Sequence, residues 1–339
     1  MRTHLLAALS LVLGAAAAPA LAQSYHVVHT YTLGGDGGWD YLALDTAGHR
    51  LFIARQDRVM VVNPETGALL GEIPGLNRAH GVAFDYATGH GFATSGADST
   101  VTMFDLNTLA VLTRTVAAID DDGILFDPAT GHIFTMNGDA GSATAIDGVT
   151  GQRIGSVDLG GKPEFGVSAG DGMLYVNLED KSEVAEVDAR AMRVTRHWSI
   201  RPCEGPSGLA IDREHHLLFS GCRSGVMGIS DARDGKLITT VPIGRGVDAC
   251  RYDATAQLAF ASNGDGTITV IHEDSPTSFR VVSNAATKQG ARTMELDEAT
   301  HRLYTVTADF GPAPAPTPER PRPRPPVLPG TFALLVLEP

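Results

Sequence analysis

Seven positions spread along this chain hold side chains that could do chemistry together: Asp40, His80, Asp122, Glu164, Ser207, Asp248 and Arg292. Six of them stand five residues before an Asp that closes a short apolar run, as Asp40 does before Asp45 and His80 before Asp85. Glu164 is placed by its flanking run, because the turn that follows is two residues shorter there. If these positions meet at one mouth, carboxylates and an imidazole could hold a hard or borderline cation such as Ca²⁺, Mg²⁺ or Zn²⁺. The metal candidates are then Asp40, His80, Asp122 and Asp248. They could equally serve as acid and base, with Arg292 clamping an anion, so in an enzyme the catalytic group would be His80, Asp122 and Arg292. Trp39 and Arg78 adjoin the set and could add stacking and charge to a ligand pocket. A repeat position with a purely structural role is expected to keep one residue type, and this one does not. The same residues can also simply line a channel and satisfy its water, and that alternative stays open.

The elements that must position them are hairpins. The stretch GVAFDYATGHGF at 81–92 reads as two short alternating runs around a turn. The aromatic of the second run recurs at Phe52, Phe92, Phe134, Tyr175, Phe219, Phe260 and Tyr304, spaced by 40 to 44 residues. A fixed period in the forties carrying only strand signals means propeller blades. The expected fold is all-β, a single seven-bladed propeller of four-stranded antiparallel blades, strand A innermost and strand D outermost. The alternating run at 24–33 precedes the first hairpin and the apolar run at 332–337 follows the last, so the N-terminal strand is expected to pair into the C-terminal blade and close the ring. Strands C and D are joined by turns such as Asn63-Pro64-Glu65-Thr66-Gly67, in which Pro fixes φ and Gly supplies a positive one.

In such a meander the B-to-C connections share the pocket face, so Arg55, Arg58, Asn137, Asn177, Arg223 and Asn263 form a second ring of candidates. The histidines at 49, 90, 132, 216 and 301 fall in A-to-B turns of separate blades on the other face, too far apart to share an ion. Folding the fifth hairpin about residues 213–215 sets Pro206 opposite Cys222 and brings Cys203 near it, which favours a disulfide in an oxidising compartment. Cys250 is then left as a buried free thiol.

Residues 1–22 stand apart from the repeats. Arg2 and His4, an apolar run at 5–18 and the small residues before Gln23 read as a cleaved signal peptide, so a periplasmic or secreted protein spanning 23–339 is expected. No later run is apolar for the ~18 residues a membrane helix needs. With 26 Lys and Arg against 39 Asp and Glu, a net charge of −13, nucleic acid is disfavoured as a partner. Residues 308–330 hold nine of the 19 prolines and cannot join a ladder, so they are expected to rise as an extended loop on the pocket face, with Arg320, Arg322 and Arg324 alternating with prolines. No Cys-x-x-Cys-His cofactor-attachment motif occurs.

The period, the hairpins, the Asp and Thr-Gly turn after strand C, and pieces such as Thr240-Val-Pro-Ile-Gly resemble the YncE-like (YVTN-repeat) seven-bladed propellers of bacterial envelopes. The resemblance covers essentially the whole chain after residue 22. It implies an exported binding or scaffold protein; separately, a non-enzymatic monomer is expected, taking a small molecule or an envelope protein through the funnel face and the proline-rich loop. Related propellers include lactone hydrolases, so the rival expectation is a lactonase-like hydrolase, metal-dependent or not, using the same pocket.

Overall fold

The computed structural model describes residues 24–317 and 323–339. The signal peptide read at 1–22, and Arg320 and Arg322, lie outside the described residues. Those described contain 26 strands and no helix, arranged as antiparallel propeller sheets. Each marker aromatic falls in the second strand of its hairpin, and all seven are buried, from Phe52 at 0% to Tyr175 at 7% exposure. The repeat is therefore a packing repeat: one ring per hairpin enters the layer between neighbouring sheets.

Ring closure is observed. One sheet runs His26–Thr32, Ala333–Glu338, Arg302–Thr307, Met294–Asp297, with Tyr31 opposite Leu334 and Tyr304 opposite Val336. The N-terminal strand is thus the outer strand of the last blade, and the two chain ends hold each other.

The number of sheets differs from expectation. Counted by hydrogen bonding there are six blades, not seven, because the first two hairpins share one six-stranded sheet. In the second hairpin four residues separate His90–Ser95 from Thr100–Asp105, whereas in the first the strand Arg50–Val62 runs on without a break. It turns at Gln56 (φ 37°), and Gln56 then pairs with Ala79 in the 17-residue strand Leu69–Asp85. That extra pair carries the ladder from one hairpin into the next.

The C-to-D turns form for a local reason. The carboxylate of Asp105 accepts from the backbone N–H of Asn107 and Thr108 at 3.0 and 2.8 Å, and Asp147 and Asp188 repeat the arrangement. Such side-chain caps stop the strand and start the turn. Pro206 lies opposite Cys222, and Cys203 and Cys222 form a disulfide with their Cα atoms 5.4 Å apart. Cys250 is buried, and burial pushes its thiol up to about 12, which keeps it inert. Replacing Cys203 and Cys222 by Ala opens a loop of 19 residues; a loss of about 2 kcal/mol is expected, read as a lower denaturant midpoint at unchanged slope.

Candidate functional site

Five of the seven opening residues are held by their carbonyls, Arg292 O accepting from Ala249 N at 3.3 Å. His80 O accepts from Tyr41 N at 3.0 Å, Asp40 O from Thr293 Oγ1 at 3.0 Å, Asp122 O from Thr94 Oγ1 at 2.8 Å and Ser207 O from Asn177 Nδ2 at 3.0 Å. Each of these latches comes from a neighbouring hairpin, so one hairpin fixes the inner strand beside it. Glycine follows the opening position in three hairpins, at 81, 123 and 208, and close backbone approach explains it: a side chain at Gly123 would meet Glu164 O at 2.7 Å, and one at Gly208 would meet the backbone of Ala249 and Cys250 at 2.6 to 2.7 Å.

The result is a funnel of about 980 Å³. Trp39, Asp40, Arg78, His80, Asp122, Glu164, Asp248 and Arg292 all line it. Beneath it Tyr41 and Phe165 pack at a tilt of 56° with ring centroids 5.0 Å apart, and the Arg251 guanidinium lies 5.5 Å from the Phe165 ring while pairing with Glu295 at 2.7 and 3.0 Å. A smaller cavity of about 240 Å³ continues among these residues.

At the centre His80 is 5% exposed. Its Nδ1 faces Asp40 Oδ2 at 2.6 Å and Asp122 Oδ1 at 3.3 Å, and the three ligand atoms fall within 4.8 Å of one another. The imidazole Nδ1 can carry no more than one proton, and it serves the nearer oxygen; Asp122 Oδ1 is left without a hydrogen bond. Asp248, the fourth metal candidate, is elsewhere engaged: it pairs with Arg292 and accepts from Ser207 Oγ at 3.1 Å. Ser207 also donates to Glu164 at 3.3 Å, so one hydroxyl bridges two carboxylates.

The electrostatics follow from burial. Asp122 is pushed up to about 7, first by burial and then by the charge of Asp40. Glu164 is pushed up to about 8 by burial, with Asp122 and Glu179 adding to it. Burial pulls His80 down, but the hydrogen bond to Asp40 and the charges of Asp122 and Asp40 outweigh it, and the net direction is up. Tyr41 is held well above its ordinary range by burial and by Asp122, Glu164 and Asp40. Burial is the first cause for the three acids, and in all four groups the neighbouring carboxylates push the value up.

Of the second ring, only Arg223 lines the funnel, where it pairs with Glu179 and approaches Glu164 at 4.0 Å. The others are corrections. Arg58 pairs with Asp57 and with Glu72 at 2.9 Å at the outer edge. Arg55 is buried 3.6 Å above the Phe332 ring and donates to Asp36 O at 2.8 Å. Asn137 donates to Ser142 and Thr144, Asn263 to Thr267 and Thr269, and Asn177 holds the carbonyls of Ser207 and Gly208. These asparagines still belong to strand B: Asn137 and Asn263 bond within their own sheet, and Asn177 reaches the next hairpin. The residues just past the strand reach the funnel instead, Gly138, Glu179, Arg223 and Gly264. Reading one step beyond the end of each B run would have found Glu179. Asp120, which pairs with Arg78 at 3.2 Å, and Lys162 also line the funnel and were not singled out.

The proline-rich insertion forms part of the wall. Phe310 bridges to Val327, Gly311 N donates to Pro326 O at 2.8 Å, and Leu328 N to Asp309 O at 2.8 Å, a short two-stranded base from which Phe310, Arg324, Pro325 and Val327 face the funnel.

No family model matches the chain and no curated protein matches it. Among solved structures, a chain of Kuenenia stuttgartiensis Hydrazine Synthase is similar with a TM-score of 0.70 and 13% identity, over 79% of this chain and 92% of that one. At that identity the likeness shows the β-propeller fold alone, and 1790 solved chains share it, so no activity travels with it.

Proposed function

We propose that this chain is an exported β-propeller that binds rather than transforms, and that its funnel takes up a divalent cation on Asp40, His80 and Asp122. One observation carries this: two carboxylates from different hairpins approach the same imidazole nitrogen, at 2.6 and 3.3 Å, in a place that leaves one of their oxygens unpaired. A cation replaces the contested proton and serves all three atoms. The donor set of one nitrogen and two oxygens suits a borderline ion such as Zn²⁺ or Mn²⁺. Calorimetric titration of chelator-treated protein tests it: one ion per chain bound in the wild type and lost in His80→Gln supports the reading, and unchanged uptake in that variant sinks it.

The hydrolase alternative would use His80 or a carboxylate to activate water and Arg292 to steady an oxyanion. Arg292 is already paired with Asp248 and lies 3.7 Å from Asp40, so its charge is spent on the protein's own carboxylates. That favours binding. The YncE-like resemblance, with its envelope setting, agrees with the binding reading and with the sequence at 1–22. Export predicts that the protein recovered from the envelope fraction starts at Gln23, which intact-mass measurement decides.

The insertion supplies none of the three ligands. Deleting 311–329 is therefore expected to leave cation affinity within about threefold, and to change stability by less than ~1 kcal/mol, since loop length acts only logarithmically on closure entropy. A large loss of affinity would show that the wall takes part in the site.

A further inference from the structure

A second cluster with the same chemistry lies on the opposite face. Asp212 closes the strand Pro206–Asp212, His215 stands in the turn after it, and Tyr252 and Glu273 come from the neighbouring strands Val247–Asp253 and Thr267–Ser275. His215 Nδ1 is 2.6 Å from Asp212 Oδ2 and 2.9 Å from Glu273 Oε1. The two carboxylate side chains are 3% and 1% exposed, while the imidazole is 29% exposed and opens the cluster to solvent.

The hydrogen bonds can be counted oxygen by oxygen. Asp212 Oδ1 accepts from Glu214 N at 2.9 Å, Asp212 Oδ2 from the His215 ring, and Glu273 Oε2 from Tyr252 OH at 2.7 Å, the same hydroxyl lying 3.4 Å from Asp212 Oδ2. Glu273 Oε1, deeply buried and facing the imidazole, receives none. Among the described residues no Lys or Arg pairs with either carboxylate, so two buried negative charges face at most one positive one. An unpaired buried carboxylate oxygen is costly, and something must answer it. Other turn histidines show the satisfied state: His301 meets the single carboxylate of Asp253 at 2.6 Å, and His90 a carbonyl, Gly148 O, at 2.9 Å. The fifth hairpin differs by the added Glu273.

We propose that Asp212, His215 and Glu273 form a second cation site, for a divalent transition ion of the Zn²⁺ class, which staples the fifth hairpin to the sixth. The three donor atoms lie within 4.8 Å of one another. Ligand atoms around tetrahedral zinc at 2.0 Å stand about 3.3 Å apart, so the His215 nitrogen needs to draw away from each oxygen by less than an ångström to admit the ion. The open position faces solvent on the His215 side, which gives an entry path.

The site stands independently of the funnel, and the test separates the two. Chelator-treated full-length protein is titrated with ZnCl₂ by calorimetry, and its melting temperature is followed with and without zinc. Glu273→Gln keeps shape and volume, and His215→Gln changes a partly exposed turn residue. Each is expected to lose one zinc per chain, or to bind it at least tenfold more weakly, while His80→Gln keeps that zinc. In the wild type, zinc at about 100 times Kd is expected to raise the melting temperature by roughly 3–5 °C through this site, and the rise should vanish in both variants. If the funnel binds nothing, the wild type takes one zinc and His80→Gln is without effect, which leaves this proposal intact. Uptake that survives both Glu273→Gln and His215→Gln, or a wild type whose only zinc is removed by His80→Gln, overturns it.

Discussion

An Asp122→Asn variant is expected to be more stable than the wild type in chelator at pH 8, and to bind a divalent cation in the funnel roughly 100-fold more weakly or not at all. The first half follows from the Asp122 carboxyl, which burial and Asp40 raise from its ordinary 3.8 to about 7. Between those values the folded chain holds a proton that the unfolded chain has released. Stability then falls as pH rises, since the slope follows protons bound unfolded minus protons bound folded, a negative number here. Glu164, raised from 4.5 to about 8, acts with the same sign. His80 does too: its raised value stabilises the protonated folded form at low pH, and that gain is lost as pH climbs through the folded value. The wild-type apoprotein should therefore melt higher at pH 5.5 than at pH 8.5. An amide at 122 removes one of the three contributions and flattens the dependence. The same amide cannot supply an anionic ligand, and loss of a direct ligand should exceed the 10- to 100-fold typical of supporting groups. Melts at both pH values and titration of the same samples check it. A variant that is less stable at pH 8, or that keeps its affinity, would mean that Asp122 is a satisfied channel carboxylate.

The period was legible because one buried aromatic is needed per hairpin, and a large ring at a fixed step leaves a mark that composition cannot hide. The lead positions of the inner strands were legible for the opposite reason: they vary where packing positions repeat, and the funnel gathers all of them except Ser207, which bridges Glu164 and Asp248 at its edge. What stayed hidden was set by register. Asn177 and Glu179 are two residues apart, yet one latches a neighbouring strand and the other faces the funnel, because the strand ends between them. The sheet count was hidden likewise. The first two aromatics are 40 residues apart, the shortest step in the chain, and the missing residues come from the tight turn at Gln56 that lets two hairpins share a ladder. His215 escaped notice because its neighbour His216, with a φ of 58°, fills the regular turn position that His49 and His301 fill elsewhere. Glu273 sits on a different strand, and no spacing along the chain joins them.

A Gly208→Ala variant is expected to lose about 3–4 kcal/mol of stability, more than removal of the disulfide. Overpacking a core usually costs 1–3 kcal/mol because side chains can shift to new rotamers. Here the added methyl would lie 2.6 Å from Cys250 N and 2.7 Å from the Cα and carbonyl carbon of Ala249, all backbone atoms of the adjoining inner strand. Those atoms are fixed in turn, since Ala249 N donates to Arg292 O and Cys250 pairs with Ala261. Relief must come from moving one inner strand away from the next, which breaks the Asn177 latches to Ser207 and Gly208 and draws Ser207 away from Glu164 and Asp248. The cost therefore reaches the site as well as the core. Gly38→Ala is the control: it lines the same funnel, its added carbon has nothing within 4 Å, and no appreciable change is expected. Denaturant midpoints for the two variants decide the matter. A Gly208→Ala protein as stable as the wild type would show that the inner strands are not in backbone contact, and that the latching of the funnel by neighbouring hairpins is looser than the carbonyl bonds imply.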